Sequence, residues 1–210
     1  MSSYQKLVNG MSELGIQKMQ EYLDYYIDEV NRGNRSFTEA LDELVELNTL
    51  RFLDRHDNIL FVGSSGTGKT HLATAIGISC AKARNITYFI TFEKLMNQLK
   101  SALHENRLET RLKFFAKYKV LIIDEIGYMP IDQDSANLFF QLIARRYEKN
   151  STMITTNMPF SRWAEIFGSA TLANAILDRL LHHSSVISIK GPSYRLRDKR
   201  ELLEAHAADE

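Results

Sequence analysis

The chain has 210 residues, with 26 basic and 26 acidic side chains, so its net charge of zero at pH 7 points to no class of partner. Its single cysteine, Cys80, excludes an internal disulfide and a cysteine metal cluster, as in proteins of a reducing compartment. No apolar stretch approaches the roughly 20 residues that span a bilayer, and a signal-peptide core is lacking, so we expect a cytoplasmic protein that binds no membrane.

Residues 1–50 are predicted to form a small helical segment with two amphipathic helices. Apolar side chains recur at helical spacing from Met19 to Val30, and Ser36 with Glu39 forms a capping box for the second helix. The apolar faces would pack on each other, on the main domain or on a partner. The segment carries four basic and nine acidic residues, so the remainder, at +5, is the better candidate for binding nucleic acid.

Short apolar segments alternate with helical segments from residue 58 onwards. The predicted strands cover residues 59–62, 87–91, 120–123, 152–155 and 186–189, and the predicted helices cover 71–83, 93–103, 108–115, 133–148, 160–167 and 172–181. Wholly apolar strands between helices are typical of a parallel sheet that is covered on both faces. The sequence therefore predicts an α/β three-layer sandwich with a five-stranded parallel sheet.

A complete phosphate-binding motif, GxxxxGK[ST], joins the first of these strands to the helix after it. Its glycines let backbone N–H groups point inward at a phosphate, at the start of a helix. Lys69 can reach the β- and γ-phosphates, and the Thr70 hydroxyl can bind Mg²⁺. The predicted nucleotide-binding residues are Gly63, Ser64, Ser65, Gly66, Thr67, Gly68, Lys69, Thr70 and His71.

Two consecutive carboxylates, Asp124 and Glu125, end the apolar strand at 120–123. Ligands of parallel sheets bind at the carboxyl ends of the strands, so Asp124 is placed to hold Mg²⁺ beside Thr70. Glu125 could orient and deprotonate an attacking water molecule. Alternatively, the pair simply opens the following loop.

Two further polar residues have open interpretations on the sequence alone. Asn157 follows the strand at 152–155 and could hydrogen-bond the γ-phosphate or the attacking water, or it could be a turn residue. Arg179 lies near a helix end and could pair with Asp178, bind a phosphate, reach into a neighbouring subunit as an arginine finger, or remain a solvated side chain.

The motifs GxxGTGKT, LIIDE, TTN, LDRL and SYR occur in this order and resemble those of the AAA+ ATPases. More narrowly, residues 58–197 resemble the IstB-like branch, whose members are transposition helper ATPases related to DnaC-type helicase loaders. The resemblance implies hydrolysis of Mg-ATP at the interfaces of a homo-oligomer that assembles on DNA. It also implies a γ-phosphate sensor at Asn157, a trans-acting arginine finger at Arg179, and a second sensor or interface arginine at Arg195.

One departure from the family's pattern concerns the connection between the N-terminal helices and the phosphate-loop strand. Members of the branch usually carry a longer, basic connection there, whereas here 43–50 runs almost directly into 51–55. The lacking stretch would be expected to supply DNA contacts and part of the adenine pocket. The sequence alone therefore assigns neither role to this chain's N-terminal region.

Basic residues before the third strand are the leading DNA-contact hypothesis, because related initiator-type ATPases use added helices in this region to follow a nucleic-acid backbone. A solvated helix face that is partly neutralised by Glu105 and Glu109 is the alternative. The residues assigned to DNA are Arg107, Arg111, Lys113 and Lys117.

These observations predict an N-terminal segment at 1–50, an AAA+ ATPase domain at 51–198 and a C-terminal tail at 199–210. The predicted function is an ATPase that assembles on duplex DNA and assists a transposase. A DnaC-like helicase loader and a nucleotide-switched adaptor with little turnover are the alternatives. The adjacent His182 and His183 are interpreted as a polar helix end rather than a zinc site.

Overall fold

A computed structural model describes residues 49–189, so the predicted N-terminal helices and Arg195 lie outside the described residues. The chain divides into two compact units, with the boundary between Arg55 and His56. Helix α1 (Phe52–Arg55) belongs to the first unit. None of the helices formed by residues 49–189 is both long and apolar enough to cross a membrane.

Five parallel strands form the sheet of the second unit, in the order β2-β3-β4-β1-β5. The strands are β1 (Asn58–Gly63), β2 (Thr87–Thr91), β3 (Val120–Ile126), β4 (Ser151–Thr156) and β5 (Ser184–Ile189). The helices are α2 (Lys69–Lys82), α3 (Phe92–His104), α4 (Leu108–Ala116), α5 (Gln133–Arg146), α6 (Trp163–Phe167) and α7 (Ala170–Leu181), with a 3₁₀ turn at Phe160–Arg162 before α6. The predicted three-layer α/β fold is confirmed.

Alternate residues of β3 face the two helical layers, because successive side chains of a strand point to opposite faces of the sheet. Leu121 and Ile123 belong to the large apolar cluster that also contains side chains of α3 to α7. Ile122 faces α2, where a Cβ on Gly77 would lie 2.4 Å from its Cδ1. The absence of a side chain at Gly77 therefore lets α2 lie close to the sheet.

Arg146, at the end of α5, is 1% exposed. Its side chain forms hydrogen bonds with the end of α4, with the segment after it and with the start of β4, at the amino-terminal edge of the sheet. Its guanidinium donates hydrogen bonds to the carbonyls of Phe115 (2.9 Å) and Tyr118 (2.8 Å) and to the hydroxyl of Thr152 (3.0 Å). Burial lowers the pKa of Arg146 to about 9, so the group still carries its charge at neutral pH. The carbonyl oxygens solvate that charge in place of water.

Most elements begin and end within two residues of the sequence-based boundaries, and three further differences have a visible cause in the backbone. Strand β3 extends to Ile126 through an irregularity in its pairing with β4. Helix α5 ends at Arg146 rather than at 148, because Tyr147 leaves the helical conformation with ψ of 125°, and Glu148 then has a left-handed φ of 56°. The segment predicted as one helix at 160–167 is a 3₁₀ turn followed by α6.

Candidate nucleotide-binding site

The phosphate loop follows β1 at the edge of the sheet where all five strands end. Cross-strand pairing places Gly63 beside Ile189, and Val62 beside Thr156, so the polar residues that follow these strands gather at one edge. Gly68 has a φ of 94°, in the left-handed region that side chains disfavour, and α2 begins at the next residue. The loop thus turns tightly into a helix N-terminus, as an anion site requires.

Lys69 is 7% exposed, and its ammonium lies inside the loop that it follows. Its Nζ donates to the carbonyl oxygens of Gly63 (2.7 Å) and Ser64 (2.6 Å). The Thr67 hydroxyl also donates to the Ser64 carbonyl, at 2.9 Å. A positive charge is therefore held at the centre of the loop.

Asp124 is 3% exposed and lies between two threonine hydroxyls. Thr70 Oγ1 donates to Asp124 Oδ1 at 3.0 Å, and Thr155 Oγ1 donates to the same oxygen at 2.5 Å. Carboxylate and hydroxyl oxygens beside a phosphate site are the donor set that Mg²⁺ takes in nucleotide enzymes. The side chains predicted to hold Mg²⁺ are therefore together, and they fit the ion.

Glu125 is exposed although it lies within a buried strand, and its backbone explains why. Its φ is 67°, and the pairing of β3 with β4 shifts between Ile123 and Ile126. The backbone N–H of Glu125 donates to Thr155 Oγ1 at 2.9 Å, which fixes the turn. Irregular strand ends re-aim side chains, and left-handed non-glycine residues are concentrated at functional sites.

Asn157 directly follows β4, and its Oδ1 is buried without a hydrogen-bond partner among residues 49–189. A Cβ on Gly127 would lie 2.8 Å from this oxygen, so Asn157 sits against the turn that follows Glu125. A buried acceptor without a donor is costly unless a bound group supplies one. An attacking water molecule has the required O–H, which fits the predicted role.

Tyr128 is a contact of the phosphate loop that the sequence motifs did not identify. Its hydroxyl lies 3.2 Å from Ser65 Oγ, and its side chain is 52% exposed. The residue belongs to no phosphate-binding motif, so only the fold of the loop after β3 brings it there. His71, which was predicted to bind nucleotide, is an exposed residue in the first turn of α2.

Arg179 lies apart from the phosphate loop of its own chain. Its Nη1 donates to the carbonyl of Ala175 at 2.8 Å, and its guanidinium stacks on Phe140, with Cζ 4.6 Å from the ring centre. The packing of α7 on α5 thus holds the guanidinium in place. The assignment of Arg179 as a trans-acting residue stays a prediction, as does that of Arg195.

The basic residues around α4 fall into two groups. Arg107 forms an ion pair with Glu105, and Lys113 forms one with Glu109 at 3.5 Å. Arg111 and Lys117 instead stack on Phe114, with their cationic groups 5.3 Å and 4.8 Å from the ring centre. A cleft of about 380 Å³ between α3 and α4 is lined by Asn97, Gln98, Ser101, Ala102, Glu105, Arg107, Thr110, Arg111 and Phe114.

A parallel sheet in this strand order, with a phosphate loop after β1 and an acidic end to β3, places the chain among the P-loop proteins of the AAA+ class. The amino-acid sequence identifies the family within this class. The IstB-like ATP binding protein family matches residues 10–202, and the chain belongs to that family.

Relatives from insertion sequences agree with this assignment. The chain is 55% identical over 172 residues to a protein named for ATP binding in insertion sequence IS232 of Bacillus thuringiensis subsp. berliner. It is 41% identical over 196 residues to the corresponding IS21 protein of Pseudomonas aeruginosa. The matches cover 81% and 92% of this chain, and 69% and 74% of the two relatives.

A solved structure supports the same fold. The crystal structure of the DnaC helicase loader matches with a TM-score of 0.60 and 25% sequence identity. The match covers 72% of this chain and 90% of that one. The predicted resemblance to the IstB-like branch and to helicase loaders is therefore confirmed.

Proposed function

We propose that this chain binds and hydrolyses ATP at the carboxyl edge of its sheet, and that it serves the transposition of an insertion sequence. The observation that carries the proposal is the junction of Thr70, Asp124 and Thr155 beside the phosphate loop. Three segments distant in sequence meet there around one carboxylate oxygen.

The side chains divide the chemistry between them. Lys69 and the loop amides would bind the phosphates, while Thr70 and Asp124 would hold Mg²⁺, which neutralises phosphate charge when it is bound. Glu125, which is exposed, would accept a proton from the attacking water. Asn157 would accept a hydrogen bond from the same water and keep it in line with the phosphate.

Replacement of Glu125 by glutamine tests this division. Glutamine keeps the shape of the side chain but cannot accept the proton, so we expect ATP binding to persist while turnover falls by about 10²–10⁴-fold. Phosphate release and fluorescent-nucleotide binding would be measured on the same preparation. Normal turnover in E125Q would remove Glu125 from the role of base.

DNA binding is proposed for the surface formed by Arg111, Lys117 and Phe114. These two cations stack on an aromatic ring beside a polar cleft, whereas Arg107 and Lys113 are ion-paired with acidic neighbours. The double variant R111E/K117E should bind duplex DNA more weakly, with a flatter dependence of affinity on salt. A K82E/R162E variant makes the same charge change elsewhere and should bind as the parent does. Unchanged affinity and salt slope in R111E/K117E would contradict the assignment.

The proposed partner is a transposase, because the relatives that match are proteins of insertion sequences. The similarity to the DnaC helicase loader supports a second candidate, in which the same ATPase core acts on a replicative helicase. The purified chain, immobilised in the presence of ATP, would be offered a transposase in one experiment and a replicative helicase in another. Retention of one protein and not the other separates the two candidate partners. A third possibility, an adaptor with little turnover, predicts tight ATP binding with background phosphate release.

A further inference from the structure

Two chain turns at the edge of the sheet opposite the phosphate loop bring a carboxylate and two imidazoles together. Glu148 lies between α5 and β4, and His182 and His183 lie between α7 and β5. Glu148 Oε1 is 3.7 Å from His182 Nδ1 and 3.7 Å from His183 Nε2. One donor atom of each residue lies within 4.8 Å of those of the other two.

This cluster is separate from the nucleotide site. The backbone carbonyl of His183 accepts a hydrogen bond from the N–H of Asn58, at 2.8 Å, where β1 begins. The phosphate loop follows the far end of that strand, and a six-residue strand extends about 17 Å. A metal in the cluster would therefore touch neither Thr70 nor Asp124.

Existing contacts hold the donors near one another. The ring of Tyr147 stacks on that of His182, with centres 5.8 Å apart, and the rings of His182 and His183 have centres 4.0 Å apart. The Tyr147 hydroxyl lies 2.6 Å from His182 Nδ1 and would give up that contact when the ion binds this nitrogen. The left-handed backbone of Glu148 turns the chain at this point. The three donor residues are each about half exposed, so side-chain rotations can shorten the donor separations, which are 3.7 Å to Glu148 and at most 4.8 Å within the cluster, towards the roughly 3.4 Å between ligands of a tetrahedral ion.

We propose that Glu148, His182 and His183 form a binding site for a divalent transition-metal ion of the zinc type, which revises the sequence-based interpretation of the two histidines as a polar helix end. Two imidazole nitrogens and one carboxylate oxygen are a ligand set that Zn²⁺ takes in proteins, with water in the fourth position. Imidazole ligands favour Zn²⁺, Ni²⁺ and Cu²⁺ over Mg²⁺, so the ion of the nucleotide site would not compete.

The ion would link the end of α5 to the end of α7. Arg179 lies on α7 one turn before the cluster and stacks on Phe140 of α5, so the link would strengthen the contact that positions this arginine. Because the ion would bind the folded chain, it would also raise the midpoint of thermal unfolding.

The test uses the 210-residue chain without an affinity tag, in the absence of nucleotide. Zn²⁺ is titrated against a competing chromophoric chelator, and thermal unfolding is followed with and without the ion. We expect one Zn²⁺ per chain and a higher unfolding midpoint. The variants H183A and E148Q should each bind at least about tenfold more weakly, since even outer-shell changes weaken metal sites by 10–100-fold.

A matched control separates this site from adventitious binding to surface histidines. The variant H104A removes an exposed histidine at the end of α3 and should bind Zn²⁺ as the parent does. Circular dichroism of H183A and E148Q would verify that both variants remain folded. Absence of a one-to-one site, or equal affinity in the parent, H183A and E148Q, would overturn the proposal.

Discussion

Thr155 contacts both acidic residues of the candidate site through a single hydroxyl. It donates its proton to Asp124 and accepts the backbone N–H of Glu125, so it fixes one side chain and the turn that exposes the other. The residue is 1% exposed, and neighbouring strands hold it on both sides. Its proposed role is to position two residues that act on the ligand.

The variant T155V tests that role, because valine keeps the shape of threonine but lacks the hydroxyl. We expect ATP turnover to fall by about 10–100-fold, as for other residues that orient metal ligands. Turnover would be compared with that of T152V, which removes a buried hydroxyl at the opposite end of the same strand. A loss of stability in both variants with a loss of turnover in T155V alone would support the role of Thr155 in positioning Asp124 and Glu125. Equal turnover in T155V and T152V would contradict that role.

At the scale of elements, the start of α5 shows how one side chain can both cap a helix and link it to another. Asp132 Oδ1 accepts the backbone N–H and the hydroxyl of Ser135, each at 2.8 Å, and Oδ2 accepts from Lys100 of α3 at 2.6 Å. The hydrogen bond from Lys100, followed by those from Ser135, holds the pKa of Asp132 well below its usual value.

A lowered carboxyl pKa gives the contribution of Asp132 a defined pH dependence. The stabilisation is complete above the unfolded-state pKa, about 4, and is lost as the pH falls through the lower folded-state pKa. The variant D132N keeps a good helix cap but loses the charge. We expect it to unfold at a lower temperature than the parent at pH 7, with the difference shrinking at pH values below about 4.

The control for this pH dependence is D134N, which removes a charge from the first turn of α5 without removing the contact to Lys100. Its thermal midpoint should lie closer to that of the parent at pH 7. A difference between D132N and the parent that is the same at pH 7 and in acid would contradict the linkage.

Periodicity and motifs predicted most of the elements, but not the local distortions that shape the site. Strand β2 has the predicted bounds, because a short segment of β-branched and aromatic residues between two helices favours a strand over any other secondary structure. The left-handed backbone of Glu125 and the contact of Tyr128 with Ser65 depend on how β3 meets β4 and the phosphate loop. The convergence of Glu148 with His182 and His183 similarly joins positions more than 30 residues apart, which no local pattern reports.

For the whole molecule, the proposal is that ATP links neighbouring copies through Arg179. The guanidinium is held on α7 by Phe140 and by the Ala175 carbonyl, rather than by its own phosphate loop. In related phosphoryl transfers, an arginine supplied by a second protein stabilises the charge of the transition state and raises the turnover rate by about 10³–10⁵-fold. The roles of Arg179 and of oligomer formation stay predictions.

The variant R179A should bind ATP as the parent does, yet lose most of its turnover and its ATP-dependent assembly. Light scattering with ATP, with ADP and without nucleotide, each with and without duplex DNA, reports assembly, and phosphate release reports turnover. The control R162A removes an exposed arginine that pairs with Glu165 and should leave both unchanged. Full turnover by a parent chain that stays monomeric would refute the shared site.

The central claim is that the phosphate loop binds a nucleoside triphosphate. Titration of Mg-ATP into the purified parent chain and into K69A tests this claim most directly. Lys69 places the one buried positive charge of the loop, so we expect saturable binding by the parent and none by K69A, with both chains equally folded. Failure of the parent to bind, or equal binding by K69A, would contradict the account.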